Sequence, residues 1–389
     1  MSLKTWLTPH VMQFLLDPAR EQKRRASIEH KRQRSGAPHT VHYFHQADDP
    51  YSQLLARVLP QLQARYAIRI VVHHVSPPAD SAAPERAKLQ AYSLRDAQLL
   101  AAHYGLDWHA ATHASAPAAT DPAETRAQAD ALRSRWGHYL GATLYYGGEW
   151  YWGIDRMHHL ETRLQALGAA QPGVHGVLFP PGVDLTAPVQ VANPPDIDFF
   201  FSLRSPYSAI VCERVFRLGQ LTGARVNLRF VLPMVMRGLP VPREKRLYIV
   251  RDAAREARLR GIPFGRMNDP VGRPTERGLA LMPLAIAQGK GQAYVASFMR
   301  GVWAEGLDAG SDSALFLIAE RAGLMPGDCQ KALQDPGWRS QAEANRAEMI
   351  DLGLWGVPSF RVGDTNVWGQ DRLWAVQDAV LGRAQGRPD

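Results

Sequence analysis

The stretch Asp196-Ile-Asp-Phe-Phe-Phe-Ser-Leu-Arg-Ser205-Pro206-Tyr207-Ser208 decides how this chain is read. Ile197 to Phe201 is short, aromatic and β-prone, which predicts a buried strand. The following Ala209-Ile-Val-Cys-Glu-Arg-Val-Phe-Arg-Leu repeats its apolar positions at helical spacing, and Pro206 suits the first turn of that helix. Ser205 is thus delivered to a helix start, where unpaired backbone N–H groups meet the positive end of the helix dipole. Such a place favours an anion: a thiolate, carboxylate or enolate. A serine before a proline is also an ordinary N-cap, so other parts of the chain must separate the two readings.

Length and composition allow two or three domains. With 389 residues and 46% hydrophobic content, full cores are possible, and no apolar run is long enough to span a bilayer. The net charge of +8 is concentrated in an arm, residues 1–36, which holds eight Lys/Arg against three Asp/Glu. That arm lacks aromatic interleaving in its basic run, Lys23 to Arg34, so a solvated helix or tail is expected in place of a nucleic-acid or membrane contact. Its short apolar stretch, Val11 to Leu16, is followed by charge instead of preceded by it, which does not fit a secretory signal. Cys212 and Cys329 form no CxxC pair and no zinc spacing, so no disulfide framework and no metal are expected, and a cytoplasmic protein is the default.

Taken in order, residues 37–167 read as strand, helix, strand, helix, a loop over Ala110 to Thr125, a short helix over Ala127 to Trp136, a hairpin turning at Gly147-Gly148 and a closing helix. Residues 168–194 are rich in Pro and Gly and read as a linker or draped connector. The same order of elements then begins again. An offset of 156, from Pro50 to Pro206, carries Phe44, Tyr51, Ser52, Tyr92, Asp96 and Gly105 onto Phe200, Tyr207, Ser208, Tyr248, Asp252 and Gly261. Toward the ends the offset becomes 216, carrying Gly147, Trp152, Asp155 and Arg156 onto Gly363, Trp368, Asp371 and Arg372. The second copy therefore holds 60 more residues in its middle, and their helical patterns predict an inserted bundle.

With these motifs in place, residues 195–384 resemble the kappa-class glutathione transferases and 2-hydroxychromene-2-carboxylate isomerases of the DSBA-like thioredoxin family. The resemblance rests on Ser205-Pro-Tyr-Ser208, on Lys245-x-Leu-Tyr-x-x-x-Asp ahead of Gly261-Ile-Pro-Phe, and on Trp355-Gly-Val-Pro-Ser-Phe-x-Val-Gly363 followed by Trp368-Gly-Gln-Asp-Arg372. It implies an α/β fold with tandem thioredoxin-like domains, the second carrying a full helical insertion. It further implies that Ser205 holds the thiolate of glutathione, a cosubstrate. Ser208 stands at the second position of the dithiol motif of relatives, and Val357-Pro358 is the cis-proline turn facing the helix start. Lys245, Gln370, Asp371 and Arg372 are implied to bind the rest of glutathione. Asp at a first turn is also common capping, and a helix lysine is commonly solvated. Where the family has a Gly-Asn-x-Pro-Pro loop, this chain has Gly238-Leu239-Pro-Val-Pro242, and Arg204 adds a positive charge beside Ser205.

In the first half Asp49 replaces the serine, Leu89 aligns with Lys245, and Ala142 stands at the cis-proline position, so residues 37–167 are expected to be a degenerate copy that packs as a pseudo-dimer partner. A further homodimer of the chain is compatible with the same reading. Function is then expected to be a glutathione-dependent isomerase or transferase acting on an unsaturated or aromatic small molecule; Met234, Met236, Phe298 and Trp303 are candidates for an apolar wall, although such residues are more often plain core. The alternative is a non-catalytic tandem scaffold. Thiol–disulfide exchange is unavailable, because serines occupy both positions where a dithiol would stand.

Overall fold

The computed structural model describes residues 3–109, 116–239 and 241–383; residues 110–115 of the expected loop, and Pro240 of the Gly238–Pro242 turn, lie outside them. The chain divides into two compact units, one gathering Glu21–Gly182 and Val241–Tyr248, the other Met1–Arg20, Val183–Pro240 and Ile249–Arg383.

In the first, β1 (His39–His45), β2 (Ile68–His74), β3 (Thr143–Tyr146) and β4 (Glu149–Trp152) form a sheet of order β2-β1-β3-β4, with β1 and β2 parallel and the other pairs antiparallel. A parallel pair needs a crossover, which the helix Pro50–Arg65 supplies. Leu54, Leu55, Val58 and Leu62 of that helix are buried against Val41, Tyr43 and Leu144 of the sheet. Gly147 and Gly148 both have positive φ, 52° and 84°, which the two-residue turn between β3 and β4 requires.

The second unit repeats this plan. β5 (Ile197–Phe201), β6 (Val226–Phe230), β7 (Ser359–Val362) and β8 (Thr365–Trp368) take the order β6-β5-β7-β8, with β5 and β6 parallel. Every residue of β5 is buried, as an apolar central strand should be. The register repeats as well: Phe44 faces His73 and Thr143, and Phe200 faces Arg229 and Ser359, which are the offsets 156 and 216. Both sheets thus share one strand order and one pattern of parallel and antiparallel pairs. The insertion is built of helices, from Arg273–Ala280 to Trp338–Asp351, and Pro283 starts a new helix, Met282–Ala287, directly after the first.

In two regions the structure selects between the alternatives that the sequence left open. The basic arm is two helices, Leu3–Leu15 and Pro18–Arg34, and the second is held by Arg25, whose Nε and Nη2 each donate to the Glu149 carboxylate at 2.7 Å. Residues 168–194 are draped on the fold and not free. Ala67 N–H donates to Ala169 O within the first unit, and Leu185 N–H donates to Gln377 Oε1 within the second.

Candidate functional site

Ser205 lies between the end of β5 and the helix Pro206–Thr222, with φ −91° and ψ 117°. Its backbone is extended while its carbonyl already accepts from Ala209 N–H at 3.0 Å, which is the N-cap geometry. Ser205 Oγ accepts from Ser208 N–H at 3.1 Å and donates to the carbonyl of Val357 at 3.4 Å. The cap and the meeting with the Val357 turn therefore coexist in one side chain. The Val357-Pro358 bond is cis. Ser205 and Val357 are half-buried and Pro358 is buried, so the hydroxyl sits at the edge of the fold and within reach of a small molecule.

The surroundings of Ser205 are apolar on one side and charged on the other. Tyr207, Ile262 and Phe264 pack on a small core of Ile210, Ala253 and Ala257. Tyr207 is fixed by its hydroxyl, which donates to Asp252 Oδ2 at 2.8 Å. Arg204 makes a forked pair with Asp269 at 2.8 and 2.7 Å, so the positive charge beside Ser205 is largely balanced. Neither pair was expected from sequence. A signal for the first existed, because Tyr51 and Asp96 stand at the same offset and make the same bond at 2.7 Å.

Other expected site residues turn inward. Ser208 is fully buried, its hydroxyl 3.5 Å from Ser202 N–H. Gln370 is buried, donating to Glu256 Oε2 at 2.8 Å and accepting from Arg214 Nη1 at 3.0 Å. Arg372 is also buried, with Nη1 3.4 Å from Asp371 Oδ1, while Asp371 is half-buried. Lys245 belongs to the other compact unit, where its ammonium donates to Ala82 O at 2.7 Å and burial lowers it to about 8. Phe298 and Trp303 are core residues and not an apolar wall of the site, and the Trp303 indole donates to Leu203 O at 3.2 Å. Cys212 is buried in the helix Pro206–Thr222, and burial pushes its thiol up to about 12, so it carries no thiolate at neutral pH.

The matching place in the first unit is built differently. Asp49 has the same φ and ψ as Ser205, −91° and 117°, and caps the helix Pro50–Arg65 by accepting from Tyr51 N–H and Ser52 N–H. Its Oδ2 also accepts from Ser52 Oγ at 2.8 Å, and burial raises the carboxyl to about 6. Ala142 N–H donates to Ser52 Oγ at 2.7 Å, with Ala142 at φ 51° where the other unit has Pro358.

Residues 196–381 match the family model of the DSBA-like thioredoxin domain. The chain is similar to 2-hydroxychromene-2-carboxylate isomerase of Pseudomonas putida, 26% identical over 192 residues, which is 47% of this chain and 93% of that protein. It is 23% identical to the enzyme of that name from Sphingobium xenophagum over 193 residues, 48% of this chain and 97% of that one. A solved 2-hydroxychromene-2-carboxylate isomerase is 25% identical, covering 47% of this chain and 93% of the other, with a TM-score of 0.42. Residues 196–381 are a DSBA-like thioredoxin domain.

Proposed function

We propose that the second half is a glutathione-dependent isomerase or transferase of the kappa and 2-hydroxychromene-2-carboxylate isomerase type. One observation carries the reading: the Ser205 hydroxyl stands at a helix start and opposite the Val357 carbonyl, so a thiol laid along the Val357 strand end would bring its sulfur to Ser205. The hydroxyl hydrogen then turns from Val357 O to sulfur. Together with the helix dipole it favours the thiolate, lowering the thiol pKa while the thiol proton passes to solvent. The thiolate adds to the β-carbon of an unsaturated carbonyl compound, and the displaced electron pair moves to the carbonyl oxygen as an enolate. Rotation about the former double bond and return of that electron pair expel the thiolate unchanged, which is isomerisation. Protonation of the enolate instead leaves the thioether of a transferase. The similarity to named isomerases favours the first outcome.

We read residues 37–167 as a degenerate copy, since the Asp49 carboxylate occupies the anion position and above pH 6 repels a thiolate. A non-catalytic scaffold is the second reading, favoured by the inward turn of Ser208, Gln370 and Arg372. Calorimetric titration with glutathione separates the two. The enzyme reading expects heat at millimolar ligand for the wild type and none for Ser205→Ala; no heat from the folded wild type favours the scaffold.

A further inference from the structure

The helix Leu3–Leu15 has two faces of opposite use. One packs on its own unit: Asn268 Nδ2 donates to Thr5 O at 3.3 Å, and Pro9 is buried where a Cβ on Gly306 would meet it at 2.6 Å. The other face carries Trp6, Leu7, Val11, Phe14 and Leu15, which are 42 to 56% exposed. At 100° per residue, Leu7, Val11, Phe14 and Leu15 fall within about one third of the helix circumference, and Trp6 stands about 80° outside that arc. Isolated exposed apolar residues are ordinary, but five in one helix of 13 are a patch.

We propose that this face docks on an anionic lipid surface. Immediately after it, Pro18–Arg34 holds seven Lys/Arg against two Asp/Glu, and Lys23, Lys31 and Arg34 are exposed. An apolar row of Leu7, Val11, Phe14 and Leu15 with the exposed Trp6 beside it, followed at once by surplus positive charge, matches the acyl boundary and headgroups of an anionic membrane. A second copy fits less well, because it would bring a like-charged arm along with it. A 13-residue helix is also only about 20 Å long, so one face of it offers about 200 Å², far below the roughly 800 Å² per partner of a stable dimer. Among the described residues no helix is long and apolar enough to cross a membrane, so the contact is a surface one. The expectation from composition overlooked this face because its basic run lacks aromatics, whereas the aromatics lie in the preceding helix.

The test is cosedimentation of the full chain with vesicles of phosphatidylcholine containing about one third phosphatidylglycerol, against pure phosphatidylcholine, at about 50 and about 500 mM salt. The expected result is at least about tenfold stronger partition onto the anionic vesicles, weakened by salt. Val11→Glu/Phe14→Glu, and independently Leu7→Ser/Leu15→Ser, should abolish it with an unchanged circular dichroism spectrum. Lys23→Gln/Lys31→Gln/Arg34→Gln should remove the preference for anionic lipid. Wild type that stays in the supernatant overturns the proposal, as does binding that survives both apolar variants. Concentration-dependent dimerisation abolished by those variants in analytical ultracentrifugation would also overturn it, assigning the face to a second copy.

Discussion

The Ser205 hydroxyl lies 3.4 Å from the carbonyl oxygen of Val357, across 152 residues of sequence. The contact joins the start of one helix to the turn before β7, and it ties the N-cap of Pro206–Thr222 to the place where a thiol is proposed to lie. Capping and chemistry can be separated there, because Asp49 demonstrates a second residue that caps in the same backbone conformation.

Ser205→Asp should therefore keep the cap, within about 0.5 kcal/mol of wild type, while abolishing glutathione binding through like-charge repulsion. Ser205→Ala should cost about 1 kcal/mol and abolish binding as well. Urea midpoints and calorimetry read the two effects separately. A Ser205→Asp protein that still binds glutathione would refute the thiolate role.

The carboxyl of Asp49 is raised by burial from the ordinary 3.8 to about 6. The native state thus keeps its proton where the unfolded chain has already lost it, so this group's contribution to stability falls as pH rises from about 4 to about 6. Relative to Asp49→Asn, wild-type stability should drop by about 1–2 kcal/mol between pH 4 and pH 7, the full shift being discounted for partial exposure. Denaturation curves at pH 4, 5.5 and 7 check this; a pH-independent difference would contradict it.

Glu149 is buried and receives Arg25 twice, with Arg24 at 3.4 Å, Arg163 at 3.5 Å and the Tyr151 hydroxyl at 3.1 Å. Removing the shared acceptor leaves these donors facing one another. Glu149→Ala should cost about 3 kcal/mol and loosen the helix Pro18–Arg34, so that trypsin cuts it roughly tenfold faster. Cleavage at the wild-type rate would mean that the helix is held by other contacts.

Gln370 was expected to touch ligand, yet its amide bridges Glu256 and Arg214 inside the fold. Gln370→Ala should lower stability by about 2 kcal/mol, because the buried Glu256 carboxylate and the half-buried Arg214 guanidinium each lose a partner. Unchanged unfolding midpoints combined with lost glutathione heat would instead assign it to the ligand.

Local pattern was enough to establish both strand–helix starts, the hairpin at Gly147-Gly148, and the two offsets that recur in the strand registers. These features depend on periodicity, turn chemistry and repetition, which are properties of neighbours in sequence. Folding alone fixed which side chains are buried and which are not. The motif that named Ser208, Gln370, Arg372 and Lys245 is silent about the partners that draw them inward: the Ser202 N–H, which donates to Ser208, and the acceptors Glu256, Asp371 and Ala82 O. Likewise, composition predicted a solvated arm, and only the long-range packing of Thr5 and Pro9 decided that Val11 and Phe14 face outward. Burial and several of these partners, such as Glu256 for Gln370 and Ala82 for Lys245, are set by contacts between residues more than a hundred positions apart, which no window of sequence contains.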